Sequence, residues 1–97
     1  MIFTNQQSGD LAGYGEMADA MVKLAQQQPG FLGIESTRNA DGFGMTVSYW
    51  QDEEALLNWK AVAKHLAAQK LGRDRWYSHY ITRIARVERH YDGPMGR

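Results

Sequence analysis

The 97-residue chain has no cysteine. That excludes a disulfide framework and any thiolate metal site. It has two prolines, and no low-complexity segment or repeat. It also lacks net charge, because eleven basic side chains offset eleven acidic ones. General nucleic-acid binders and anionic-membrane binders rely on an excess of positive charge, so neither partner is expected. No apolar run approaches the roughly 20 residues of a membrane span. Only Met1 to Phe3 is apolar before a polar stretch, which is not a signal-peptide pattern, and a cytoplasmic location is the expectation.

What is present is a globular composition, 43% hydrophobic and 23% charged. The length suits a single domain over 1–97, with a loosely held tail over 91–97. Such a chain buries only roughly 60–65% of its unfolded surface, so its core is thin. Charge is uneven along it. Met1 to Trp50 carries five acids and two bases, and Gln51 to Arg97 six acids and nine bases. The halves are therefore −3 and +3, which suits either adjoining surfaces of one domain or two copies meeting.

Ile2-Phe3-Thr4 reads as the start of a strand that looks cut short by the start of the chain. Tyr14, Met17, Ala18, Met21, Leu24 and Ala25 form one helical stripe, and the spacing predicts a helix over 14–28 ended by Pro29-Gly30. Phe31 to Arg38 and Phe43 to Trp50 alternate as strands around Asn39-Ala40-Asp41-Gly42, a hairpin turn. Asp52 is a good N-cap, with Glu53 and Glu54 at the positive end of a helix dipole. Ala55, Leu56, Trp59, Val62, Ala63 and Leu66 give a second stripe, predicting a helix to about Leu71 that stops at Gly72. Ile81 to Tyr91 reads as a last strand. The order βαββαβ predicts an α+β, ferredoxin-like fold: a four-stranded antiparallel sheet with both helices on one face. The other sheet face would be bare, which predicts a homodimer, two sheets meeting as a dimeric α+β barrel.

Strong catalytic motifs are missing. His65, His79 and His90 have no zinc spacing, so no metal site is expected. The serines have no nucleophile elbow, and no glycine-rich phosphate loop occurs. What stands out is a dense group of rings: Tyr49, Trp50, Trp59, His65, Trp76, Tyr77, His79 and Tyr80. Trp59 lies in the buried stripe, either as a core residue or as the wall of a pocket for a flat aromatic ligand. His65 lies at the border of that stripe, either simply hydrogen-bonded or placed to exchange protons. Asn5 is either a strand-end residue or a site residue.

These residues also carry a resemblance. Phe31-Leu32-Gly33-Ile34-Glu35-Ser36 after Pro29-Gly30, then Tyr49-Trp50-Gln51-Asp52-Glu53-Glu54-Ala55, is similar to the antibiotic biosynthesis monooxygenase (ABM) family. There a "P-G-F-x-G" turn opens the second strand and "Y-W-x-x-x-E-A" leads into the helix. Trp59-Lys60, His65, Ala68-Gln69, Gly72-Arg73, Trp76-Tyr77, Arg83-Ile84 and Val87-Glu88-Arg89 resemble one bacterial subgroup. The likeness runs from about Tyr14 to Tyr91.

The resemblance implies a dimeric α+β barrel with a pocket between helices and sheet, and oxygen chemistry without cofactor on a small aromatic or quinol-type ligand. It implies that Trp59 walls the pocket and that His65 moves a proton, the two candidate catalytic residues. Tyr49, Tyr77, Trp76 and Asn5 are the candidate substrate-binding residues. A haem-degrading branch of the family implies a tryptophan ten residues before a haem-ligating histidine, and an asparagine on the first strand. Trp59 and Asn5 match, but the position ten after Trp59 is Gln69, a poor iron ligand. No cofactor is therefore expected, with haem the disfavoured alternative. A non-catalytic dimeric module that binds a small molecule is the remaining alternative.

Overall fold

The computed structural model describes residues 1–69 and 76–95. The elements are β1 (Ile2–Gln7), α1 (Tyr14–Gln26), β2 (Phe31–Arg38), β3 (Phe43–Trp50), α2 (Glu53–Gln69) and β4 (Tyr77–Arg83). The strands form one antiparallel sheet in the order β2-β3-β1-β4. This is the ferredoxin-like βαββαβ fold that the sequence pattern predicts.

The local chemistry explains the boundaries. The α1 helix ends at Gln26, two residues earlier than the periodicity suggests. There the ladder tightens, as Gln27 and Gln28 N–H donate to the Leu24 and Ala25 carbonyls at 3.2 and 3.1 Å. Gly30 then adopts φ 81°. A Cβ there would also lie 2.6 Å from the Ala55 Cβ, so only glycine lets this turn pass beneath α2. In the hairpin, Gly42 has φ 91° and the Asp41 carboxylate accepts from the Phe43 N–H at 3.0 Å. Asp52 caps α2 through its Oδ1, which accepts from the Ala55 N–H at 2.9 Å. The predicted stop at Gly72 lies outside the described residues.

The last strand differs from the expected 81–91. It begins at Tyr77 and ends at Arg83. Its partner is β1, where Ile2 pairs with Arg83. Beyond that pair β1 offers no further ladder, and 84–92 carries no secondary structure.

Alternation divides the sheet into two faces. Phe3, Asn5, Ser36, Arg38, Thr46 and Ser48 point to the helix side. Ile2, Phe43, Met45, Val47, Tyr49 and Ile81 share the other face, which no helix covers. The buried apolar residues are Met17, Ala25, Leu56, Trp59, Ala67 and Trp76, all on the helices or just before β4. Among the described residues no helix is long and apolar enough to cross a membrane.

Candidate active site

Between the helices and the sheet lies a cavity of about 470 Å³. Its floor is the helix-side face of the strands, and its walls are α1 and α2. Met17, Ala18 and Met21 face it from α1, and Trp59, Ala63 and Ala67 from α2. Those positions recur at helical spacing, so one turn of each helix after another meets the same space.

Two tryptophans anchor it. Trp59 is 3% exposed, and its ring stacks on Trp50 at 5.7 Å between centroids. Trp50 in turn donates from Nε1 to Ser48 Oγ at 3.0 Å. Trp76 is 2% exposed and donates from Nε1 to the Ala12 carbonyl at 2.8 Å. Its ring meets Tyr14 edge to face at 6.0 Å. Both indole N–H or ring contacts fix orientation, so the cavity wall is pre-shaped.

A polar cluster closes one end. Arg38 donates from Nη2 to the Tyr14 hydroxyl at 2.7 Å and from Nη1 to the Gly42 carbonyl at 2.7 Å. The Tyr77 hydroxyl donates to the same Tyr14 oxygen at 3.4 Å. Tyr77 also meets Phe3 and Tyr14 edge to face, at 5.4 and 5.9 Å.

Asn5 is the exception to this pattern of satisfied groups. Its side chain is 2% exposed, and its Oδ1 is buried with no hydrogen-bond partner. Leaving a buried amide oxygen unpaired costs about 1–3 kcal/mol. The residue lines the cavity floor, but the oxygen itself is sealed beneath that floor; a half-turn of the amide would present it to a donor on a ligand and remove the cost.

The structure brings together Trp59, Trp76, Tyr77 and Asn5 of the six sequence candidates. It places the other two elsewhere. Tyr49 lies on the sheet's uncovered face, where its hydroxyl donates to Glu35 Oε1 at 2.9 Å. That bond, with lesser help from burial and the carboxylate charge, holds the Tyr49 phenol above its ordinary pKa of 10.0. His65 is exposed on α2 and borders a separate shallow groove with Leu24, Ala61, Val62 and Leu66. Six residues from Trp59 is 240° around a helix, which turns the imidazole away from the indole. The sequence does not single out Arg38 and Tyr14, which also line the cavity. Arg38 reads only as a strand end before a turn, and Tyr14 only as the first member of a helix stripe.

Haem needs an axial ligand. Among the described residues no histidine lines the cavity, His79 pairs with Gln6 on the uncovered face, and Gln69 stands where the haem-degrading pattern has its histidine. Among the described residues no group of three metal-ligating side chains occurs. The described lining residues offer haem no axial ligand and do not fit it.

A four-stranded antiparallel sheet in the order β2-β3-β1-β4, with an aromatic-lined cavity under its two helices, defines the class as a ferredoxin-like α+β domain. The chain belongs to the antibiotic biosynthesis monooxygenase family, whose model it matches over residues 1–71. It is 49% identical over 89 residues to the uncharacterized protein YqjZ of Bacillus subtilis, covering 92% of this chain and 78% of that one. Its fold is similar to SnoaB, a cofactor-independent oxygenase from Streptomyces nogalater (TM-score 0.64, 15% identity, 91% and 94% of the two chains). It is also similar to a mutant of MhuD with two manganese protoporphyrin IX molecules bound per active site (TM-score 0.54, 20% identity, 89% and 94%). At these identities the two structures bear on the fold alone.

Proposed function

We propose that the protein is a cofactor-independent monooxygenase that oxidises a small aromatic or quinol-type substrate with O2 in the cavity beside Trp59 and Asn5. The unpartnered Oδ1 of Asn5 carries this reading. It belongs to an amide at the floor of an aromatic-walled space, and a half-turn of that amide offers the oxygen as acceptor to the hydroxyl of a phenol or hydroquinone.

In such a reaction the substrate is the reductant. A hydroxyanthrone-type substrate loses a proton to give an electron-rich anion, which passes one electron to O2. The two radicals join in a C–O bond as a hydroperoxide, and loss of water leaves a carbonyl. One oxygen atom becomes that carbonyl and the other leaves as water, so a ring CH2 supplies all four electrons. The protein orients the substrate through Asn5 and stacks it between apolar walls. No carboxylate or imidazole is among the described lining residues, so substrate acidity matters more here than a built-in base.

The protein acts as a homodimer in this reading. Phe43, Met45 and Ile81 are exposed on the uncovered sheet face, and Ile84, Val87 and Tyr91 are exposed just beyond β4. An apolar face of this kind suits a second copy.

Oxygen uptake tests the activity. Chelator-treated protein is expected to consume O2 with 1,8-dihydroxyanthrone or 1-hydroxyanthrone, above the rate without protein. No acceleration with either would overturn the reading in favour of a binding module without turnover.

A further inference from the structure

The cavity's charge is one-sided. Arg38, Lys60 and Lys64 border it, and among the described residues no aspartate or glutamate does. The ion pair recorded among the described residues, Arg89 with Glu88, lies far along the chain from all three. The three cations therefore face the cavity without a carboxylate partner among the described residues.

Arg38 is the one built into place. It is half-buried, and both its hydrogen-bond partners, the Gly42 carbonyl and the Tyr14 hydroxyl, are neutral. A guanidinium has five N–H donors, and these bonds occupy two. Its charge sits 5.4 Å above the centre of the Tyr14 ring. Gly44 makes the seat. A Cβ there would lie 2.6 Å from both Cζ and Nη1 of Arg38. Gly44 is not among the glycines with positive φ, so its backbone does not require glycine; the guanidinium lying across it does.

The register then places the orphaned amide beside this charge. Gly44 pairs with Arg38 on one side and Asn5 on the other. A guanidinium over Gly44 is about one strand spacing, roughly 4.8 Å, from the strand that carries Asn5. A donor-seeking oxygen and an anion-seeking fork thus stand next to each other on the cavity floor.

We propose that the cavity takes an amphipathic aromatic acid, its carboxylate held by Arg38 and an adjacent hydroxyl donating to Asn5 Oδ1. This names the substrate class for the site proposed above and rests on that cavity being the ligand site. Arg38 offers the planar, two-pronged geometry that a carboxylate matches. Lys60 and Lys64 are exposed at the rim. They draw an anion toward the mouth, an effect that salt weakens.

Calorimetric titration with three probes tests it: 3-hydroxy-2-naphthoate, its methyl ester and 2-naphthol. Wild-type protein is expected to bind the acid at least about tenfold more tightly than the ester, as one charge-assisted pair implies. In Arg38→Gln and Gly44→Ala that preference falls to within about twofold, while ester binding is kept. Gly44→Ala displaces only a side-chain end; if it fails to fold, Arg38→Gln decides. Equal binding of acid and ester by wild type overturns the substrate class and leaves the cavity reading standing. A preference that survives in Arg38→Gln overturns the role of Arg38. If none of the three binds, both the class and the cavity reading fall.

Discussion

Asn5 and Arg38 share a register partner, Gly44, one on each side of β3. One brings a buried oxygen with no hydrogen bond, the other a half-buried cation bonded only to neutral oxygens. The oxygen costs stability where it stands, and the cation keeps donors to spare. In the proposed site a ligand supplies the donor that the oxygen lacks and a negative charge for the guanidinium, so the unpaired oxygen is a stability cost kept for binding.

The cost can be measured at Asn5. Replacing it with leucine removes the unsatisfied oxygen and adds apolar surface to the cavity wall. Asn5→Leu is expected to match or exceed the wild-type melting temperature, by up to several degrees for about 1 kcal/mol in a domain of this size. Thermal denaturation by circular dichroism checks this. A drop of more than about 8 °C would show that Asn5 serves the fold.

Trp59 is both core and wall, and two substitutions separate the roles. Trp59→Ala empties a site that is 3% exposed and is expected to lose about 3–5 kcal/mol. That is a large part of a small domain's stability. Trp59→Phe keeps a ring against Trp50 and is expected to lose less than about 1.5 kcal/mol, while weakening aromatic ligands several-fold. Urea unfolding and ligand titration of both variants read the two effects apart. A Trp59→Ala protein as stable as wild type would contradict the burial.

The fold was largely legible in the sequence because its signals are local. The α1 stripe, the Asp41-Gly42 turn and the Asp52 cap each act within a few residues, and each element formed where its chemistry predicts. The site was legible only in part. Alternation separates Ser48 from Tyr49, but it does not say which face the helices cover. The more apolar face of β3, with Phe43, Met45 and Val47, is the one left open, and Tyr49 went with it. His65 marks a stripe border correctly, yet the border it occupies faces a different groove. Arg38 gains meaning only from Gly44 across the hairpin, a contact that no spacing in the sequence displays.

Tyr49 supplies a pH signature for the uncovered face. Its phenol is held above 10.0, first by its hydrogen bond to Glu35. The folded protein therefore keeps this proton more tightly than the unfolded chain. The stabilisation is complete below pH 10 and is lost as pH rises through the folded value. Phenolate absorbance during alkaline titration is expected to show one tyrosine released late, and Glu35→Gln to return it toward the ordinary value. An unchanged titration in Glu35→Gln would show that the bond does not form in solution.

The open face predicts its own partner. Light scattering at micromolar concentration is expected to give twice the 11.0 kDa chain mass. Val47→Lys, at the centre of that face between Ile2 and Glu35, is expected to shift the mass toward one chain. A wild-type protein that scatters as a monomer would contradict the dimer.

The central claim is that chemistry occurs at Asn5 in the cavity, and not at His65. Oxygen uptake with 1,8-dihydroxyanthrone by wild type, Asn5→Leu and His65→Ala tests it most directly. Wild type is expected to consume one O2 per substrate converted, Asn5→Leu to react at least tenfold more slowly, and His65→Ala to change the rate less than twofold. Full activity in a folded Asn5→Leu, or its loss in His65→Ala alone, would contradict it.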